Sequence, residues 1–100
     1  MRHMSINRER SLLPEDLRVF LTVIRKNGFG HAAEELGYSP AYVSKRMAVL
    51  ETTLGTRLLH RTTRRVALTD EGERVRTWAT RFLGDMEDFI SELTDARQQL

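Results

Sequence analysis

A chain of 100 residues, 40% hydrophobic and 30% charged, has room for one small domain and an extension, with a modest core and a charged surface. It has no cysteine, which excludes a disulfide scaffold, a thiolate metal site and a cysteine nucleophile; no apolar run approaches the roughly 18 residues of a membrane span and no signal-peptide pattern opens the chain, so a cytoplasmic protein is expected. The net charge of +2 hides an asymmetry: residues 1–68 hold 12 Lys/Arg against 6 Asp/Glu, and residues 69–100 hold 4 against 8, the pattern of a nucleic-acid-binding module followed by an acidic segment.

Residues 1–12 read as a cloning remnant, with His3 and Met4 before a second start, followed by a loose arm. A first helix is expected from about Pro14 to about Asn27, because Leu13, Leu17, Phe20, Leu21 and Ile24 form one apolar stripe. Pro14 suits the first helical position, Glu15 and Asp16 suit the positive end of the helix dipole, and Asn27-Gly28 is a stop with Gly28 free to turn left-handed. A short second helix covers about His31 to Leu36, where Ala32 and Ala33 permit close approach to a neighbour. Ser39 followed by Pro40 is an N-cap hydroxyl and a first-position proline, so a third helix starts there and runs to about Leu54, ended by Gly55. Its apolar stripe is Val43, Met47, Leu50 and Leu54, and its opposite face carries Ala41, Lys45, Ala48 and Thr52.

Two β-prone pieces, Leu59–Arg61 and Val66–Leu68, flank a Thr-Thr-Arg-Arg tip and predict a two-stranded hairpin. Thr69 is a candidate N-cap for a long last helix. Along it Val75, Ala79, Phe82, Met86, Phe89, Leu93, Ala96 and Leu100 alternate steps of four and three, a coiled-coil-like stripe beside which Trp78 lies. Such a rod must bury the stripe against the basic module, a second copy, or both.

Short helix, three-residue turn and second helix with a small, polar outer face match a helix-turn-helix; the same spacing also fits an ordinary packed helical corner. In the first reading the third helix enters a major groove: Lys45 reaches guanine or a phosphate, Ala41 and Ala48 meet thymine methyls, and Ser39 and Ser44 sit by a phosphate. Tyr42 either touches the DNA backbone or covers the core. The cations Arg57, Arg61, Arg64 and Arg65 then make the hairpin a basic wing for the minor groove. No catalytic set, phosphate loop or metal cluster is readable: His3, His31 and His60 are scattered, and no cofactor is expected. A protein-interaction module that uses only the heptad helix is the alternative from another class.

The order of these residues resembles the N-terminal part of LysR-type transcriptional regulators over about residues 13–100. The matching stretches include Leu17-Arg18-Val19-Phe20, Ala32-Ala33-Glu34-Glu35-Leu36, Val43-Ser44-Lys45-Arg46, Leu50-Glu51, Leu54-Gly55, Leu58-Leu59-His60-Arg61-Thr62, Arg64-Arg65-Val66-Ala67-Leu68-Thr69 and Glu71-Gly72. The resemblance implies a mostly α fold: a winged helix-turn-helix over 13–68 with a two-stranded wing, then a linker and dimerisation helix over 69–100. It also implies a homodimer, double-stranded DNA with an interrupted dyad operator, and a small-molecule effector bound only in a further C-terminal domain, so that the chain is read as truncated. The family's base-reading positions fall on Pro40, Ala41, Ser44 and Lys45, and its wing contact on Arg64. The expected DNA-binding set is Ser39, Pro40, Ala41, Tyr42, Ser44, Lys45, Arg46, Arg61, Thr62, Thr63, Arg64 and Arg65. The expected dimer interface is Val75, Trp78, Ala79, Phe82, Met86, Phe89, Leu93, Ala96 and Leu100. The family usually has Gln-Pro where Pro40-Ala41 stands, and Gly30 replaces the usual Ser or Thr capping the second helix. The Ser-Pro-Ala-Tyr-Val-Ser-Lys-Arg stretch resembles a subgroup controlling hydroxy-dicarboxylic acid metabolism.

Overall fold

The computed structural model describes residues 12–60 and 65–98. Its elements in order are α1 (Pro14–Lys26), α2 (Phe29–Leu36), α3 (Pro40–Leu54), β1 (Leu59–His60), β2 (Ala67–Leu68) and α4 (Asp70–Gln98). Helix α1 is central and packs against each of the other three helices. That position explains why its buried face, made by Leu17, Val19, Phe20 and Val23, is wider than the stripe read from spacing. Leu13, placed in that stripe by the sequence, is instead the exposed N-cap residue. At this end the Asp16 side chain reaches back to accept from the Leu13 N–H at 3.3 Å, so the third residue of the helix satisfies a donor that has no partner in the helix.

The stop of α1 differs from expectation in one residue. Asn27, not Gly28, takes the left-handed conformation, with φ 55°. Asparagine tolerates that region because its short polar side chain bonds locally. Gly28 is extended and is itself the N-cap residue of α2, which therefore begins at Phe29, two residues before His31. Gly30 thus lies inside the first turn of α2, not at its cap.

Helix α3 begins as its sequence dictates: Ser39 Oγ accepts from the Tyr42 N–H at 3.1 Å, and Pro40 follows. Val43, Met47 and Leu50 are buried under α1 and α2, whereas Leu54, one turn further on, is half-exposed. Beyond Gly55 the chain enters the hairpin, where β1 and β2 pair antiparallel with Leu59 opposite Leu68 and His60 opposite Ala67.

Helix α4 is capped by Thr69, whose Oγ1 accepts from the Gly72 N–H at 2.9 Å and donates to the Arg57 carbonyl at 2.7 Å. Gly72 is buried at the crossing of α4 with the loop before the wing. A Cβ there would lie 2.1 Å from the Leu58 carbonyl oxygen. Past this point the apolar stripe divides. At 100° per residue, Ala79, Leu83 and Met86 lie on one side and join the core, while Trp78, Phe82 and Phe89 lie on the other and remain open.

Candidate nucleic-acid interface

The turn between α2 and α3 brings the N-terminal half of α3 to the surface. Pro40, Ala41, Tyr42, Ser44, Lys45 and Ala48 are all exposed there. Lys45 has no acidic partner among the described residues, so its charge is available to a ligand. The Ser39 hydroxyl oxygen is occupied as the cap acceptor, which leaves its O–H as a donor. Tyr42 is 42% exposed and its ring meets the edge of Tyr38 at a centroid distance of 4.8 Å. Its ring thus packs on a neighbour and stays partly open to solvent.

Arg46, a member of the expected DNA-binding set, is paired with α1. Its Nε and Nη2 donate to Asp16 Oδ1 and Oδ2 at 2.6 and 2.8 Å. These bonds to Asp16 raise the guanidinium pKa, against the desolvation that lowers it. Asp16 is buried, so Arg46 bridges α1 and α3 with 18% of its side chain exposed.

The wing is anchored by residues that composition and spacing did not mark. Glu51, buried on α3, accepts through Oε2 from the N–H groups of Leu58 and Leu59 at 2.8 and 3.3 Å. Asn27 Oδ1 accepts from the Val66 N–H at 3.1 Å, which ties the end of α1 to the returning arm of the hairpin. Asn27 was marked only as part of a helix stop, and Glu51 only within the family-like Leu50-Glu51 pair. Arg65 is exposed at the base of the wing. The expected contacts Arg61, Thr62, Thr63 and Arg64 lie outside the described residues.

On α2 the surface is held by acids paired with cations of α1. Glu35 accepts from Arg25, which lowers its carboxyl pKa and raises that of the guanidinium, and Lys26 Nζ lies 3.7 Å from the same carboxylate. Tyr38 donates its hydroxyl to Glu15 Oε2 at 2.6 Å, and this bond raises the phenol pKa.

The expected dimer face is only partly available. Ala79 is fully buried in the chain's own core, which removes it from any surface, and Val75 and Met86 are half-buried against the same core. Trp78 and Phe82 stack face to face with ring centroids 5.2 Å apart, yet Trp78 is 51% and Phe89 60% exposed. Ile90 and Leu93 extend this open face, Ala96 is exposed beside it, and Leu100 lies outside the described residues. No group of three His, Asp or Glu that could hold a metal comes together among the described residues. No described helix is long and apolar enough to cross a membrane.

Residues 14–73 match the family described as bacterial regulatory helix-turn-helix protein, lysR family. The HTH-type transcriptional regulator DmlR of Escherichia coli (strain K12) is 59% identical over 86 residues, which are 86% of this chain and 28% of DmlR. The chain thus spans little more than a quarter of the length of that relative. Among solved structures, the BenM DBD in its complex with catB site 1 DNA is similar with a TM-score of 0.84 and 28% identity, covering 87% of this chain and 94% of that one. The CbnR DBD–DNA complex gives a TM-score of 0.80 at 27% identity, covering 85% and 98%.

Proposed function

The chain belongs to the lysR family of bacterial regulatory helix-turn-helix proteins, and on that premise we propose that it binds double-stranded DNA as the N-terminal module of a dimeric transcription regulator. The observation that carries this reading is the open N-terminal half of α3, with Lys45 unpartnered among the described residues, on a fold shared with modules solved on DNA. In this reading α3 lies in the major groove, which admits a helix. Lys45 donates to guanine O6 and N7 or to a phosphate, Ala41 and Ala48 contact thymine methyls, Pro40 and Ser44 stand with them at the base-reading positions, and Ser39 sits by a phosphate. The wing residues Arg61, Thr62, Thr63, Arg64 and Arg65 sit in the adjacent minor groove.

Dimerisation is the second half of the proposal. The open face of Trp78, Phe82, Phe89 and Leu93 is covered by the same face of a second copy. Two α3 helices then address successive half-sites of an interrupted dyad. The chain acts as a binding module and performs no chemistry, and an effector acts through parts of the regulator outside these 100 residues.

Selection of bound duplexes from a random pool, followed by titration at several salt concentrations, tests the reading. Affinity for the selected duplex is expected to fall steeply with salt, and Arg64→Ala to reduce the slope by about one. Lys45→Ala is expected to cost about 1–3 kcal/mol at one base pair of the site. Failure to enrich any duplex, or binding indifferent to salt, would refute it and favour a module whose only working surface is α4.

A further inference from the structure

Both acids in the first turn of α1 face the helix-turn-helix. Asp16, only 1% exposed, receives two parallel hydrogen bonds from Arg46 on α3. Glu15 receives the hydroxyl of Tyr38, and the Tyr38 ring in turn meets the edge of Tyr42 on α3. Tyr42 and Arg46 are four residues apart, so they share one flank of that helix. The flank lies between the buried stripe and the open face.

The stripe itself is short: Val43, Met47 and Leu50. Apolar contacts are non-directional, so they set the depth at which α3 is seated more firmly than its rotation. A bidentate guanidinium–carboxylate pair is directional. An ion pair taken out of water adds little stability over apolar residues of the same volume, and its best-attested use is to select one arrangement among near alternatives. Rotation is what a groove-reading helix cannot tolerate. With side chains reaching about 5–6 Å from the axis, a turn of about 20° carries a tip by about 2 Å, several times the roughly 0.5 Å within which a binding constellation must be held.

We propose that Asp16 and Arg46 are positioning residues for DNA recognition, a buried lock that fixes the rotation of α3 so that Ala41, Lys45 and Ala48 meet base edges in register. This rests on the DNA-binding reading above. Arg46 then acts through α3 and not by gripping a phosphate, which separates it from Lys45, its neighbour in sequence.

The test uses the whole 100-residue chain, the duplex selected by it from a random pool, and a scrambled duplex of the same composition. The readout is the ratio of the two dissociation constants, beside a thermal melt. The wild type is expected to discriminate on the order of 10³-fold. Replacing the pair by apolar residues, Asp16→Leu with Arg46→Met, leaves the net charge unchanged and commonly preserves stability. The expected result is a melting temperature lowered by no more than about 4–8 °C, since Asp16→Leu also takes the acceptor from the Leu13 N–H, and affinity for the scrambled duplex within about twofold, with the discrimination ratio reduced at least about tenfold. Should that double variant not fold, Arg46→Lys decides on the same ratio, because it keeps the charge and removes the two-pronged bond; a loss of about threefold or more is expected. In either folded variant, a ratio within about twofold of wild type overturns the proposal, whether the two affinities are kept or fall together. A wild-type chain that binds no duplex, or binds both alike, overturns the DNA-binding reading itself and this proposal with it, and is seen before any substitution is made.

Discussion

Replacing Gly72 by alanine should reverse the usual effect of that substitution in a helix. Alanine is favoured over glycine in a helix interior by about 1 kcal/mol. At position 72, however, the new Cβ would sit 2.1 Å from the Leu58 carbonyl oxygen and 3.1 Å from both the Leu58 carbonyl carbon and Leu68 Cδ2. That backbone cannot retreat cheaply, because the Leu58 N–H is bonded to buried Glu51 and the Leu58 carbonyl accepts from the Thr69 N–H at 3.0 Å. Overpacking costs about 1–3 kcal/mol, and a displaced hydrogen bond about 1 more. Less the propensity gain, the net loss is about 1–3 kcal/mol. Gly84 on the same helix is the control, since a Cβ there meets nothing within 4 Å; Gly84→Ala should stabilise by about 0.5–1 kcal/mol. Thermal melts at one fixed protein concentration read both, with each kcal/mol shifting the midpoint by about 4–8 °C in a domain of this size. A rise in melting temperature for Gly72→Ala comparable to that for Gly84→Ala would refute the account of how α4 crosses the wing.

Glu51→Ala should destabilise by about 2–4 kcal/mol in urea titration, because it strips the acceptor from two N–H groups, those of Leu58 and Leu59; a loss under about 0.5 kcal/mol would show that the wing root is held otherwise. Phe89→Asp puts a charge in the open apolar face and should yield monomers in sedimentation; an unchanged dimer would move the interface elsewhere. The Tyr38 phenol is held above its usual value of 10.0 by its bond to Glu15, so the stability it contributes is full below that value and is lost as pH rises through the higher folded one. Tyr38→Phe should therefore abolish part of the alkaline fall in melting temperature, and identical alkaline limbs in the two proteins would refute that assignment.

Much of the fold was legible because its boundaries are chemical. Pro14, Ser39-Pro40, Gly55 and Thr69 each impose a backbone conformation or supply a specific hydrogen bond, and each marks the element end found in the structure. Asn27-Gly28 misled because two neighbouring residues could both occupy the left-handed position, and nothing local decides between them until α2 is docked. The candidate site was less legible. The exposure of Ala41 and Lys45 follows from helical phase, since an outward face is a property of one element. Arg46 was placed with them because its partner lies on α1, and no pattern local to α3 announces a carboxylate that distant. The burial of Ala79 was hidden for the same reason: one long stripe cannot show that half of its width belongs to the chain's own core.

That divided stripe makes α4 a timing shaft. Its root is locked to the body through Ala79 and Leu83, so the direction in which Phe89, Ile90 and Leu93 point is set by counting residues from that lock. One residue inserted between Leu83 and Phe89 would swing the distal rings by about 100° with no side chain altered, and a seven-residue insertion would bring them back to within about 20° but some 10 Å further out. Sequence length along this stretch is thus a mechanical dial for the direction in which the distal apolar side chains point.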